Sequence, residues 1–160
     1  QESQNENLQG LFSDLHKLGY DCRNENVLKV TAQATGDCNP LNRAASHGLL
    51  RLAEALIRKG ADVNAKDTDD QTPLHWAAKK GQDKMAELLL HKGADVEAKN
   101  KYGSAPLHFA AMNGHDKVVK LLLQKGADPN AKNKYGLTTL HVATASGNYK
   151  VVELLKAAGA

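Results

Sequence analysis

The chain has 160 residues with a formal net charge of +3, about two-fifths hydrophobic and only 4% aromatic. Its hydrophobic residues are mainly Leu, Ala and Val, so the composition fits one helical domain, or one short array, rather than an aromatic-rich β-fold. No stretch approaches the roughly 18 apolar residues of a membrane span, and the charge is too mild and scattered for a dedicated nucleic-acid binder.

The N-terminal part is acidic. Residues 1–36 carry three basic and five acidic side chains, a net of −2, which leaves +5 for the remainder. Residues 1–6 are polar and read as a disordered tail. Leu8, Leu11, Phe12, Leu15 and Leu18 then fall on one face of a helix. Gly19 lies 41 residues before Gly60. Residues 7–35 therefore read as a capping segment, or as a degenerate repeat with an insertion. The competing reading is an unrelated amphipathic helix that covers the array or carries an activity of its own. Cys22 and Cys38 are too few for a disulfide framework and lie in no CxxC pair, so they read as ordinary thiols.

From residue 36 the chain repeats itself. NPLNRAASHG, TPLHWAAKKG, APLHFAAMNG and TTLHVATASG begin 33 residues apart, at Asn39, Thr72, Ala105 and Thr138. Gly60, Gly93, Gly126 and Gly159 keep the same spacing independently. Each unit predicts a short helix capped by Asn39, Thr72 or Thr138, with Pro40, Pro73 or Pro106 at its first position. Gly48, Gly81, Gly114 and Gly147 end these helices. A second amphipathic helix follows, as in DKMAELLLHKG, and then an extended stretch whose tips are the turns Asn100–Gly103 and Asn133–Gly136. Asp70 stands where those tips have glycine, which predicts a differently shaped turn. Leu90 and Leu123 become Lys156 one period later, the polar outer face a C-terminal cap needs.

These segments resemble the ankyrin repeat over about residues 37–160. The resemblance implies an all-α solenoid of stacked helix-turn-helix units with projecting β-turn tips and a helical N-terminal cap. The units are about 36–68, 69–101, 102–134 and 135–160. It also implies that His75, His108 and His141 hydrogen-bond locally and tie adjacent loops together, which removes them as acid–base or metal candidates. His47, His91 and His115 read as exposed residues near helix ends.

No catalytic or metal-binding constellation emerges. The run DTDD at Asp67–Asp70 lacks the glycine and the acidic ligand that a calcium loop needs at its sixth and twelfth positions, so it reads as a solvated tip. There is no phosphate-binding, dinucleotide-binding or HExxH motif. The expectation is a non-enzymatic, cofactor-free, monomeric protein that binds another protein and no nucleic acid.

In the family the variable positions lie on the turn tips and the exposed side of the first helix. Here they are Asp69, Gln71, Lys79 and Lys80; Lys101, Tyr102, Ser104, Met112 and Asn113; and Lys134, Tyr135, Leu137, Ala145 and Ser146. Ser46 and His47 extend the stripe into the first unit. Tyr102 and Tyr135 hold equivalent tips and should stand side by side, and tyrosine is enriched at binding hot spots. The lysines favour a partner with an acidic segment. Trp76 and Phe109 share a slot read as mainly core, with Arg43 in the same slot of the first unit. Lys outnumbers Arg by 17 to 4 and Asn is frequent, a composition suited to an AT-rich genome. The expected location is cytoplasmic, or a host-cell cytosol if the source is an intracellular bacterium that uses the protein as an effector.

Overall fold

The computed structural model describes residue 10, residues 13–18 and residues 39–160. Over 39–160 four helix pairs follow one another. The inner helices are α1 (Pro40–His47), α3 (Pro73–Lys80), α5 (Pro106–Met112) and α7 (Thr139–Ala145). Their outer partners are α2 (Leu50–Arg58), α4 (Asp83–His91), α6 (Asp116–Gln124) and α8 (Tyr149–Ala157). The result is the expected all-α solenoid.

Local chemistry starts and stops each inner helix as the sequence predicts. Asn39 Oδ1 accepts from the N–H groups of Leu41 and Asn42, Thr72 Oγ1 from His75 and Thr138 Oγ1 from His141. Ala105 has no side-chain oxygen, and α5 starts without that bond. Gly48 and Gly81 end α1 and α3 in the left-handed region, at φ 68° and 69°. Gly81 has a second reason to lack a side chain, since a Cβ there would meet the His115 ring at 2.5 Å.

Packing is layered. Each inner helix touches the next, each touches its own outer helix, and the outer helices touch one another less. Ala44, Ala45, Ala77, Ala78, Ala110, Ala111 and Ala143 are buried in the inner layer, whereas Leu52, Leu56, Leu89, Leu122 and Leu155 fill the outer one. Small residues let the inner helices approach closely, and leucines fill the space between the outer ones. Lys156 is exposed.

Backbone hydrogen bonds close each turn, from Asp67 N–H to Gln71 O, Asn100 N–H to Ser104 O and Asn133 N–H to Leu137 O. Asp67, Asn100 and Asn133 brace the turns from within, each Oδ1 accepting from two tip N–H groups. Successive tips are also joined, Lys101 N–H to Asp69 O at 3.0 Å and Lys134 N–H to Tyr102 O at 2.9 Å.

Two expectations for the DTDD tip need correction. Asp67 is not simply solvated, because its carboxylate is committed to the turn and to Trp76. Asp70 does not change the turn's shape: it adopts φ 59°, close to the 73° of Gly103 and Gly136. Three joined turns impose one geometry, and Asp tolerates the left-handed region better than most residues. Asp70→Gly is therefore expected to stabilise the fold by about 0.5 kcal/mol or somewhat more, once glycine's own entropy is offset. A thermal midpoint that falls on this substitution would contradict the account.

Candidate functional site

The expected surface combines the turn tips with the exposed sides of the inner helices. On two neighbouring tips Tyr102 and Tyr135 stack, with ring centroids 6.5 Å apart and planes 25° from parallel. The bond between their turns fixes this spacing. The rings remain 43% and 70% exposed, so the stack presents aromatic surface to solvent. Leu137 and Met112 add exposed apolar surface, at 41% and 40%.

Positive charge on the face is less free than the residue count suggests. Lys101 forms an ion pair with Asp69 and lies 5.1 Å from the Tyr102 ring centroid. Hydrogen bonding to Asp69 raises the Lys101 pKa above its ordinary value. Lys79 sits over Trp76 at 5.2 Å. Among the described residues no ion pair holds Lys80 or Lys134. Both are exposed, as are Asn113, Ala145 and Ser146. Asn113 is also tied down, its Nδ2 donating to Lys79 O at 3.1 Å.

Gln71 and Ser104 do not belong to this surface. Both are buried, where Gln71 Oε1 accepts from Asn100 Nδ2 and Ser104 O pairs with His75 Nε2. They close the joints between turns instead of facing a partner. The slot varies along the array: it is exposed at Leu137.

Those joints explain the histidines. His75 Nδ1 accepts from Thr72 N–H at 3.0 Å while Nε2 reaches Ser104 O at 2.9 Å in the next unit. His108 does the same between Ala105 N–H and Leu137 O. An N–H donor on one ring nitrogen and a carbonyl on the other fix the neutral tautomer. Burial lowers the His75 pKa to about 4, and lowers that of His108 in the same direction. His141 keeps the Thr138 contacts but is exposed. His115 is not the exposed residue expected: it is half-buried, its Nε2 against Lys79 O at 3.0 Å. Gln82 and Asn148 repeat that link, to Ser46 O and to Met112 O. A 33-residue period shared by Gln82, His115 and Asn148 could have revealed it.

At the first two units the face deepens into an open cavity of about 280 Å³, lined in part by Asn42, Arg43, Ser46, His47, Asp67 and Trp76. Trp76 is held by its Nε1–H, which donates to Asp67 Oδ2 at 3.1 Å. Asn42 occupies the histidine slot of the first unit. Its Nδ2 donates to Gln71 O, but the shorter side chain cannot also bridge to its own N-cap, and its buried Oδ1 has no hydrogen-bond partner. Phe109 is half-buried and packs edge-on against His75, which agrees with its reading as mainly core.

On the N-terminal side Leu15 and Leu18 are buried in the common core, and Asp14 pairs with Arg51 at 3.2 Å. That part of the amphipathic stripe is occupied by packing. Leu8, Leu11, Phe12, Cys22 and Cys38 lie outside the described residues. Among the described residues there is no group of three or more His, Cys, Asp or Glu able to hold a metal, and no helix long and apolar enough to cross a membrane.

Two family descriptions match the chain: "Ankyrin repeats (3 copies)" over residues 4–100 and "Ankyrin repeats (many copies)" over residues 107–155. The first begins at residue 4, well before the strict 33-residue period. No curated protein matches.

Proposed function

The chain belongs to the ankyrin-repeat family, whose members generally mediate protein–protein interaction, and from that premise we propose that it holds a partner protein on the inner-helix and turn-tip face. The carrying observation is the Tyr102–Tyr135 stack, two aromatic rings ordered by backbone hydrogen bonds yet open to solvent. Pre-ordered rings lose little entropy on binding. Lys80 and Lys134, both exposed, favour an acidic segment in the partner. Lys101 contributes less, because Asp69 already neutralises it.

The test is affinity capture followed by calorimetry on the captured protein. Tyr102→Ala with Tyr135→Ala is expected to weaken binding at least about tenfold, on the order of 1.4 kcal/mol, at unchanged fold. Lys80→Glu with Lys134→Glu is expected to slow association and flatten its salt dependence. A partner retained at full affinity by the tyrosine variant would place the interface elsewhere.

A further inference from the structure

We infer that Tyr102 and Tyr135 form an oxidative cross-linking site, at which one-electron oxidation by a haem peroxidase and hydrogen peroxide joins the two rings as dityrosine and staples the third unit to the fourth. The site stands apart from partner binding, because the reaction needs only the two side chains and the oxidant.

Geometry comes first. A centroid separation of 6.5 Å with planes 25° from parallel lies within the spacing of aromatic pairs in contact. The backbone builds this pairing in. Lys134 N–H donates to Tyr102 O at 2.9 Å, and the N–H groups of Tyr102 and Tyr135 donate to Asn100 Oδ1 and Asn133 Oδ1 at 2.9 Å each. Access comes second. Both rings are exposed, so the oxidant reaches each of them. Exposure alone does not make such a site: Tyr149 is more exposed than either, yet among the described residues no aromatic ring lies against it. The reaction balances without any other reagent. Each phenol loses one electron and its hydroxyl proton to become a phenoxyl radical. The two radicals join through carbons ortho to the oxygens, forming one C–C bond, and each ortho hydrogen then passes to its phenolic oxygen. Two electrons and two protons leave in all, and one hydrogen peroxide is reduced to two waters. Rings held side by side couple without having to meet by diffusion. The new bond closes a loop between residues 33 positions apart, which restricts the unfolded chain and favours the folded one.

The test treats the whole chain, dilute enough to suppress coupling between molecules, with a haem peroxidase and hydrogen peroxide, and then isolates the monomer. The monomer is expected to show dityrosine fluorescence, a mass lower by two hydrogens and a proteolytic peptide pair linked through residues 102 and 135. Its thermal midpoint is expected to rise by at least about 4 °C. Tyr102→Phe and Tyr135→Phe keep a ring in the stack but remove a phenol. Each is expected to cut the monomer's fluorescence at least tenfold at unchanged helix content, which separates lost chemistry from lost folding. Tyr149→Phe is expected to leave it unchanged. In urea-unfolded chain the yield of the 102–135 link is expected to fall at least tenfold, because only the fold brings the two rings together. Dityrosine confined to dimers and larger species, a monomer signal that survives either stack variant, or an equal yield from the unfolded chain would overturn the inference. A linked monomer with an unchanged thermal midpoint would overturn its role as a staple. None of these readouts involves a partner, so failure here and failure of the partner-binding reading are told apart.

Discussion

Acidification from pH 7.5 to about 4 is expected to remove roughly 3 kcal/mol of stability through His75, from the difference between its ordinary pKa of 6.5 and its folded value of about 4. The sign follows from the partners. Above pH 6.5 the ring is neutral in both states, and the bonds to Thr72 N–H and Ser104 O are fully expressed. Between pH 6.5 and 4 the unfolded chain takes up a proton that the folded chain refuses, so stability falls with pH. Desolvation is the main cause of the refusal. The Ser104 and Ala98 carbonyls and the Asp67 charge act in the opposite direction, and Lys66 acts with burial. A proton on Nδ1 would also take away the acceptor of the Thr72 N–H. His108 adds a shift of the same sign. The measurement is urea unfolding at pH 7.5, 6.0 and 5.0 on the chain and on His75→Asn. The variant is expected to be weaker at pH 7.5 but to lose much less on acidification. Parallel pH profiles for the two proteins would remove His75 as the cause.

Leu107→Ala is expected to cost about 3 kcal/mol, within the usual range of roughly 2–5 for a buried leucine. Leu107 is 1% exposed in α5, which packs against α3 on one side and α7 on the other. Both neighbours are lined by alanines, whose short side chains cannot move into the space, so a cavity persists. A repeat array is stabilised by each unit and by the interfaces between neighbours. A weakened third unit therefore also loosens the coupling between the halves that flank it. Denaturant unfolding should show a lower midpoint, with a shallower slope if the halves begin to unfold separately. Leu123→Ala, at a half-buried outer position, is expected to cost clearly less. A loss below about 1 kcal/mol for Leu107→Ala would mean that the inner layer collapses around the missing side chain.

The sequence by itself determined the architecture. A 33-residue period, caps at Asn39, Thr72 and Thr138, and glycines able to take positive φ are local signals, and each acts within a few residues of itself. The stacking of Tyr102 on Tyr135 was legible for the same reason, because equal positions in consecutive units must become neighbours. What the period could not reveal was anything that depends on a departure from it. Asp70 keeps the glycine conformation because the joined turns override its own preference. Gln71 and Ser104 occupy variable positions yet are buried, since the backbone bonds between turns leave their side chains no outlet. The charge of Lys101 is set by Asp69, a residue one turn away and 32 positions earlier. Such features arise from distances between units, and only the tertiary structure brings those units into contact.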